Sequence, residues 1–161
     1  LSNRVLYCSV HQEGLFPFSG RIEEIGNGTG KGLTVNVPLP QGAGLEDYHA
    51  VFSEVFVPAI SRFEPDALIV SAGQDILFDD PLGGMNAQPE DLGVLTSLLT
   101  GSSDCALALV LEGGYGASHG EAVSHIFAAL DRPSSAPGPG PARPVTRRIV
   151  DVVKKVHRIT A

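Results

Sequence analysis

Three carboxylates, Asp75, Asp79 and Asp80, fall in one loop-like stretch, Ser71-Ala72-Gly73-Gln74-Asp75-Ile76-Leu77-Phe78-Asp79-Asp80-Pro81-Leu82-Gly83-Gly84-Met85, directly after an apolar run. Like charges beside an apolar segment are costly without a partner. A divalent cation is one such partner, because carboxylate oxygen is an ordinary zinc ligand. On spacing alone a plain turn capped by Asp79 and Asp80 is an equal alternative. A second segment, Leu111-Glu112-Gly113-Gly114-Tyr115-Gly116, sets a tyrosine after two glycines. The glycines let the backbone approach a ligand closely, and the Tyr115 hydroxyl can be aimed at a reacting carbonyl. Alone this signal is weak, since glycine turns with an aromatic residue are common.

The elements that must position these residues alternate between strand-like and helix-like. Val5 to Val10 reads as a strand, as does Leu33 to Val37, which Pro38 and Pro40 should stop. The runs Ala67 to Ala72 and Cys105 to Leu111 are continuously apolar, the pattern of strands covered on both faces. Residues 46 to 63 have helical periodicity, with Pro58 expected to kink the helix. Pro89 to Leu99 predicts a second helix, with acidic residues in its first turn. Ser118-His119-Gly120-Glu121 has the form of a capping box opening a helix through Val123, Ile126, Phe127 and Leu130. The spacing therefore predicts an α/β fold with a mostly parallel sheet and helices on both faces. In such sheets chemistry gathers beyond the carboxyl ends of strands, which selects the loops after Ser9, Ala72 and Leu111. The expected organisation is a body over 1–132, a proline- and glycine-rich linker over 133–143, and a basic amphipathic helix over 144–161. Ile149, Val152, Val153 and Val156 should dock that helix back on the body.

Hydrophobic residues make up 43% of the chain and charged residues 18%, as in a soluble globular domain. The net charge of −7 is uneven. Residues 1 to 142 hold 17 acids and 5 bases, whereas the last nineteen hold six bases and Asp151 alone. The basic tail is read as a solvated helix face resting on the acidic body, and an acidic body does not suit direct nucleic-acid binding. No apolar run is long enough for a membrane span, and Leu1 to Val5 do not read as a signal peptide. Cys8 and Cys105 lie in separate apolar runs and are expected to be free thiols, which fits a reducing, cytoplasmic setting.

Taken together, SAGxD…DDPLGGM followed by LEGGY resembles the histone deacetylase and acetylpolyamine amidohydrolase family, with its arginase-like fold, most closely the bacterial and class II-like branch. Tyr7-Cys8-Ser9-Val10-His11 with Phe16-Pro17-Phe18-Ser19-Gly20, and Gly26-Asn27-Gly28-Thr29-Gly30-Lys31-Gly32 with Thr34 to Pro40, are similar to further family segments in the same order. Arg147 to Val150 and Val153 to His157 resemble the closing helix of bacterial members. The resemblance implies that Asp75 is a zinc carboxylate and that Tyr115 polarises the amide carbonyl and stabilises the oxyanion. It also implies that Leu82 walls an acyl-lysine tunnel lined by Gly113 and Gly114, and that Ser9 and the Val10 carbonyl hold a structural K+.

Gln74 stands where the family usually has an aromatic or aliphatic residue, and Gly116 where asparagine is common. The family's Asp-x-His zinc ligands and its His-His acid/base pair are not found at matching positions and are expected upstream of Leu1. The chain is thus read as the C-terminal part of a deacetylase. Asp47-Tyr48-His49 is a literal Asp-x-His, but it sits in a helix, where residues two apart face different sides. His11 is expected to support its loop. His49, His119, His125 and His157 have no neighbour at catalytic spacing. The implied activity is zinc-dependent hydrolysis of acetyl-lysine or an acetylpolyamine. The competing expectation is a non-catalytic remnant serving as an interaction or self-association module.

Overall fold

The computed structural model describes residues 2–133 and 138–159; the start of the proline-rich segment, over 134–137, lies outside the described residues. The chain folds as α/β with parallel strands. Strand β1 (Tyr7–Gln12) pairs in parallel with β2 (Thr34–Leu39), in a register running from Tyr7 opposite Thr34 to Gln12 opposite Leu39. Strand β3 (Ala67–Ala72) pairs in parallel with β4 (Ala106–Leu111). Among the described residues the two pairs share no ladder. β2 runs through Pro38 rather than stopping at it. β2 has one ladder partner, so a missing N–H is tolerated on its open side. Val35, Val37 and Leu39 of β2 are buried in the main core.

The helix expected over 46–63 is divided. Helix α1 (Leu45–Val51) runs into a π turn at Phe52–Phe56, and α2 (Val57–Phe63) follows. The Val57 N–H reaches the Phe52 carbonyl, so the widened turn lies just before Pro58 and absorbs the expected kink. Helix α3 (Pro89–Thr100) starts with Pro89 in its first turn, and the Gln88 N–H donates to the Asp91 carboxylate at 2.7 Å. Helix α4 (His119–Asp131) buries Ala122, Ile126 and Ala129, while Phe127 of the expected stripe is exposed.

Helix α5 (Pro144–His157) docks on β2 and α1. Its buried face is Thr146, Val150, Val153 and His157; Val152 and Val156 of the expected stripe are turned toward solvent. The basic residues do rest on the acidic body. Arg143 donates to Asp47 through its backbone N and, at 2.6 Å, its Nε. Arg147 pairs with Glu54 through Nη1 and Nη2, and Lys154 reaches the same carboxylate.

The strands expected to be covered on both faces are not. β3 alternates, with Leu68 and Val70 toward the core and Ile69 71% exposed. Val110 and Leu111 of β4 are exposed beside it. An apolar run therefore lies here on a sheet with one open face. Cys8 and Cys105 are free and half-buried, and burial pushes the Cys8 thiol up to about 12.

Candidate functional site

The loop after β3 and the loop after β4 are joined by backbone and carboxylate bonds. The Gln74 N–H donates to the Gly113 carbonyl at 2.6 Å. Asp80 is nearly fully buried between the loops. Its Oδ2 accepts the Tyr115 N–H at 2.7 Å, while Oδ1 accepts the Leu82 and Gly83 N–H groups at 2.8 and 3.1 Å. Asp79 accepts the Ser118 N–H at 2.9 Å and the Ser118 hydroxyl at 2.6 Å. The Ser118 hydroxyl bond holds the Asp79 carboxyl below the usual carboxylate range. The two carboxylates thus act as caps, as the simpler reading of this loop held, but Asp79 caps the neighbouring loop and Asp80 caps both. The capping box expected at Ser118 does not form, because its hydroxyl is committed to Asp79 and the residue is already helical.

Two glycines make this close approach possible. Gly114 has φ +132°, and a Cβ on it would stand 2.2 Å from the Gln74 Cβ. A Cβ on Gly83 would stand 2.1 Å from the Asp75 carbonyl oxygen. The result is a cluster of loop segments in which Gly114 lies against Gln74 and Gly83 against the Asp75 carbonyl. Tyr115 is 66% exposed and Leu82 68%, so both side chains are open to an incoming molecule.

Asp75 faces solvent on one side, but desolvation raises its carboxyl above the ordinary value, and the Asp80 charge adds to this. A cavity of about 270 Å³ separates Asp75, Ile76 and Met85 from Ser9, Val10 and His11 of β1. Tyr115, Leu82, Gly113 and Gly114 do not line it. The His11 Nε2 donates to the Gly20 carbonyl at 3.1 Å, and its Nδ1 accepts from the Ser9 hydroxyl at 2.9 Å. His11 therefore supports the loop over 13–20, as expected, and burial lowers its pKa.

Some residues that shape the cluster were not singled out by sequence. Tyr48 looks like a core residue of an amphipathic helix. Its hydroxyl is buried with no partner among the described residues, and burial, followed by the Asp75 and Asp47 charges, raises its pKa. Gln74 is fully buried; its Nε2 donates to the Ala72 carbonyl at 3.3 Å, while its Oε1 and the buried Nδ1 of His119 have no partner among the described residues. Both pack around Gly114. The sequence marked Gln74 only as an unusual residue beside Asp75.

Among the described residues, no three of His, Cys, Asp and Glu converge as a metal site. Asp47-Tyr48-His49 does not supply one, because Asp47 is bound by Arg143. A catalytic zinc takes three protein ligands. Asp75 can be one of them, and the residues described here do not by themselves make a zinc site.

Comparison with known proteins gives a consistent picture. A family profile for the histone deacetylase domain matches residues 1–130. A probable deacetylase of Archaeoglobus fulgidus is 40% identical over 117 residues, covering 70% of this chain and 33% of that protein. Histone deacetylase 14, chloroplastic, of Arabidopsis thaliana is 37% identical over 134 residues, covering 78% and 31%. The crystal structure of the HDA15 HD domain superposes with a TM-score of 0.86 at 30% identity, covering 95% of this chain and 43% of that one. This chain spans about a third of the length of the curated relatives it matches.

Proposed function

Because this chain belongs to the histone deacetylase family, we propose that it is the C-terminal part of a zinc-dependent deacetylase acting on acetyl-lysine or an acetylpolyamine. In this reading Asp75 is one zinc ligand, and the Asp-x-His ligands and the His-His acid/base pair lie ahead of Leu1. Tyr115 donates its hydroxyl hydrogen bond to the oxygen of the acetyl carbonyl as negative charge develops there. Leu82, Gly113 and Gly114 border the path of the acyl-lysine chain, and Ser9 with the Val10 carbonyl holds K+. Free thiols suit a reducing compartment, and the cytoplasm is the location proposed.

The observation that supports this reading best is the Asp80 carboxylate. It accepts from Tyr115, Leu82 and Gly83 at once, so the residue assigned to the oxyanion is tied to the loop carrying Asp75. The open apolar face at Ile69, Val110 and Leu111 also favours a fold that continues over it. The alternative, a non-catalytic module for interaction or self-association, calls for a self-contained domain that unfolds cooperatively without zinc.

The encoded sequence ahead of Leu1 is the first test. An in-frame His-His pair and Asp-x-His support the enzyme, and their absence refutes it. The protein so encoded should bind zinc and hydrolyse an acetyl-lysine peptide. Tyr115→Phe should then lower kcat by about 10²–10³ with zinc content unchanged.

A further inference from the structure

We propose that the crevice between the glycine-rich turn at 28–32 and the end of α5 binds a phosphate-class anion. This site is separate from the Asp75 cluster and does not depend on the deacetylase reading. The crevice has a volume of about 380 Å³ and is lined by Lys31, Arg62, His157 and Arg158 with apolar residues, and no acidic residue lines it. In a chain of net charge −7 such a place is unusual. Arg143, just before α5, and Arg147 and Lys154 on it are neutralised by Asp47 and Glu54, whereas Arg148 and Lys155 have no ion pair among the described residues. Lys31, Arg62 and Arg158 have no ion pair among the described residues.

His157 supplies the second observation. It is 6% exposed, its Nδ1 lies 3.3 Å from the Gly32 carbonyl, and its buried Nε2 has no partner among the described residues. A carbonyl can only accept, so Nδ1 carries the proton and Nε2 of the neutral ring is bare. An anion held among Lys31, Arg62 and Arg158 would favour the protonated form of this ring through its charge. Desolvation, with the Arg62 charge, holds the His157 pKa below its ordinary value. The charged groups lining the crevice around this ring are Arg62 of α2, Lys31 of the turn and Arg158 beyond α5, all cationic.

The carboxyl end of α5 presents carbonyl oxygens, whose dipole opposes an anion. Arg62 Nη1 covers two of them, donating to the His157 and Arg158 carbonyls at 3.1 and 3.3 Å. Its Nε and Nη2 remain for a ligand, and a guanidinium with an ammonium matches a tetrahedral oxyanion. The turn's own N–H groups at Gly30, Lys31 and Gly32 are spent on carbonyls within the loop. The site is therefore a side-chain clamp rather than a backbone cradle.

The test is titration of the full chain with inorganic phosphate, with sodium chloride at equal ionic strength as the control. The readouts are calorimetry and the NMR shift of the His157 ring. Saturable binding that tightens from pH 8 to pH 6 is expected, weakened about tenfold by Lys31→Gln and by Arg158→Gln. Both residues are exposed, so both variants should fold. A parallel titration with tripolyphosphate separates a single phosphate group from a polyphosphate as the natural ligand. The proposal fails if phosphate acts no differently from chloride, or if neither variant changes the saturable response.

Discussion

Asp80→Asn changes one atom type in a buried carboxylate whose two oxygens accept three N–H groups. The amide keeps one oxygen. If it serves Leu82 and Gly83, the new NH2 faces the Tyr115 N–H, and two donors confront each other. A hydrogen bond to a charged acceptor contributes about 1.5–3 kcal/mol, and a buried donor left unpaired costs about 1–3 kcal/mol. The expected loss is about 2–3 kcal/mol, read as a shift of the urea midpoint at unchanged slope. The local signature is faster hydrogen exchange at the Tyr115 amide. Asp79→Asn, which disturbs Ser118 instead, should leave that amide protected. A loss below about 0.5 kcal/mol, within the range of ordinary surface substitutions, or an unchanged Tyr115 amide in Asp80→Asn, would refute the claim that this carboxylate joins the loops.

The other predictions concern charge and burial. The pKa of Asp75 is raised in the fold, so folding favours its protonated form. Its stabilising contribution is complete below the ordinary carboxylate range and is lost as pH rises through the raised value. In the metal-free chain, Asp75→Asn should therefore raise the Tm at pH 7 and leave it unchanged near pH 3; an equal shift at both pH values contradicts this. Glu54 is shifted down, first by its bond to Arg147, so its contribution is present above the ordinary glutamate pKa and lost as pH falls through the lowered one. Arg147→Ala should accordingly lower the Tm at neutral pH and much less in strong acid, and a pH-independent loss would assign its role to packing alone. Gln74 is fully buried with an oxygen that has no partner among the described residues. Gln74→Met removes that oxygen together with the 3.3 Å bond from Nε2 to the Ala72 carbonyl, so the two effects should offset to within about 1 kcal/mol in denaturant unfolding, and a loss of about 3 kcal/mol would mean that the oxygen has a partner.

Periodicity was enough to read α3 nearly to its ends and to foresee the basic helix resting on acidic residues, because amphipathic spacing and charge asymmetry are local properties of the chain. The segments around Asp75 and Tyr115 were legible for a similar reason. Glycine at 114 is demanded by close backbone approach, and the order of the motifs carried the family resemblance. Other features depended on residues distant in sequence. An apolar run such as Ala67 to Ala72 carries no record of how many faces will be covered, so the open side of β3 appeared only in three dimensions. The face that α5 buries was offset from the expected stripe, since Thr146 and His157 pack inward while Val152 and Val156 turn out. Asp79 and Asp80 were visible as caps, but the Asp79 partner at Ser118 and the Asp80 partner at Tyr115 lie more than thirty positions away. Sequence alone determined the fold class, the helix periods and the residues able to do chemistry, because these follow from side-chain type and short spacing. Tertiary structure decided which carboxylate holds which loop and which cations stay unpaired, because hydrogen bonds and desolvation depend on neighbours that only folding brings together.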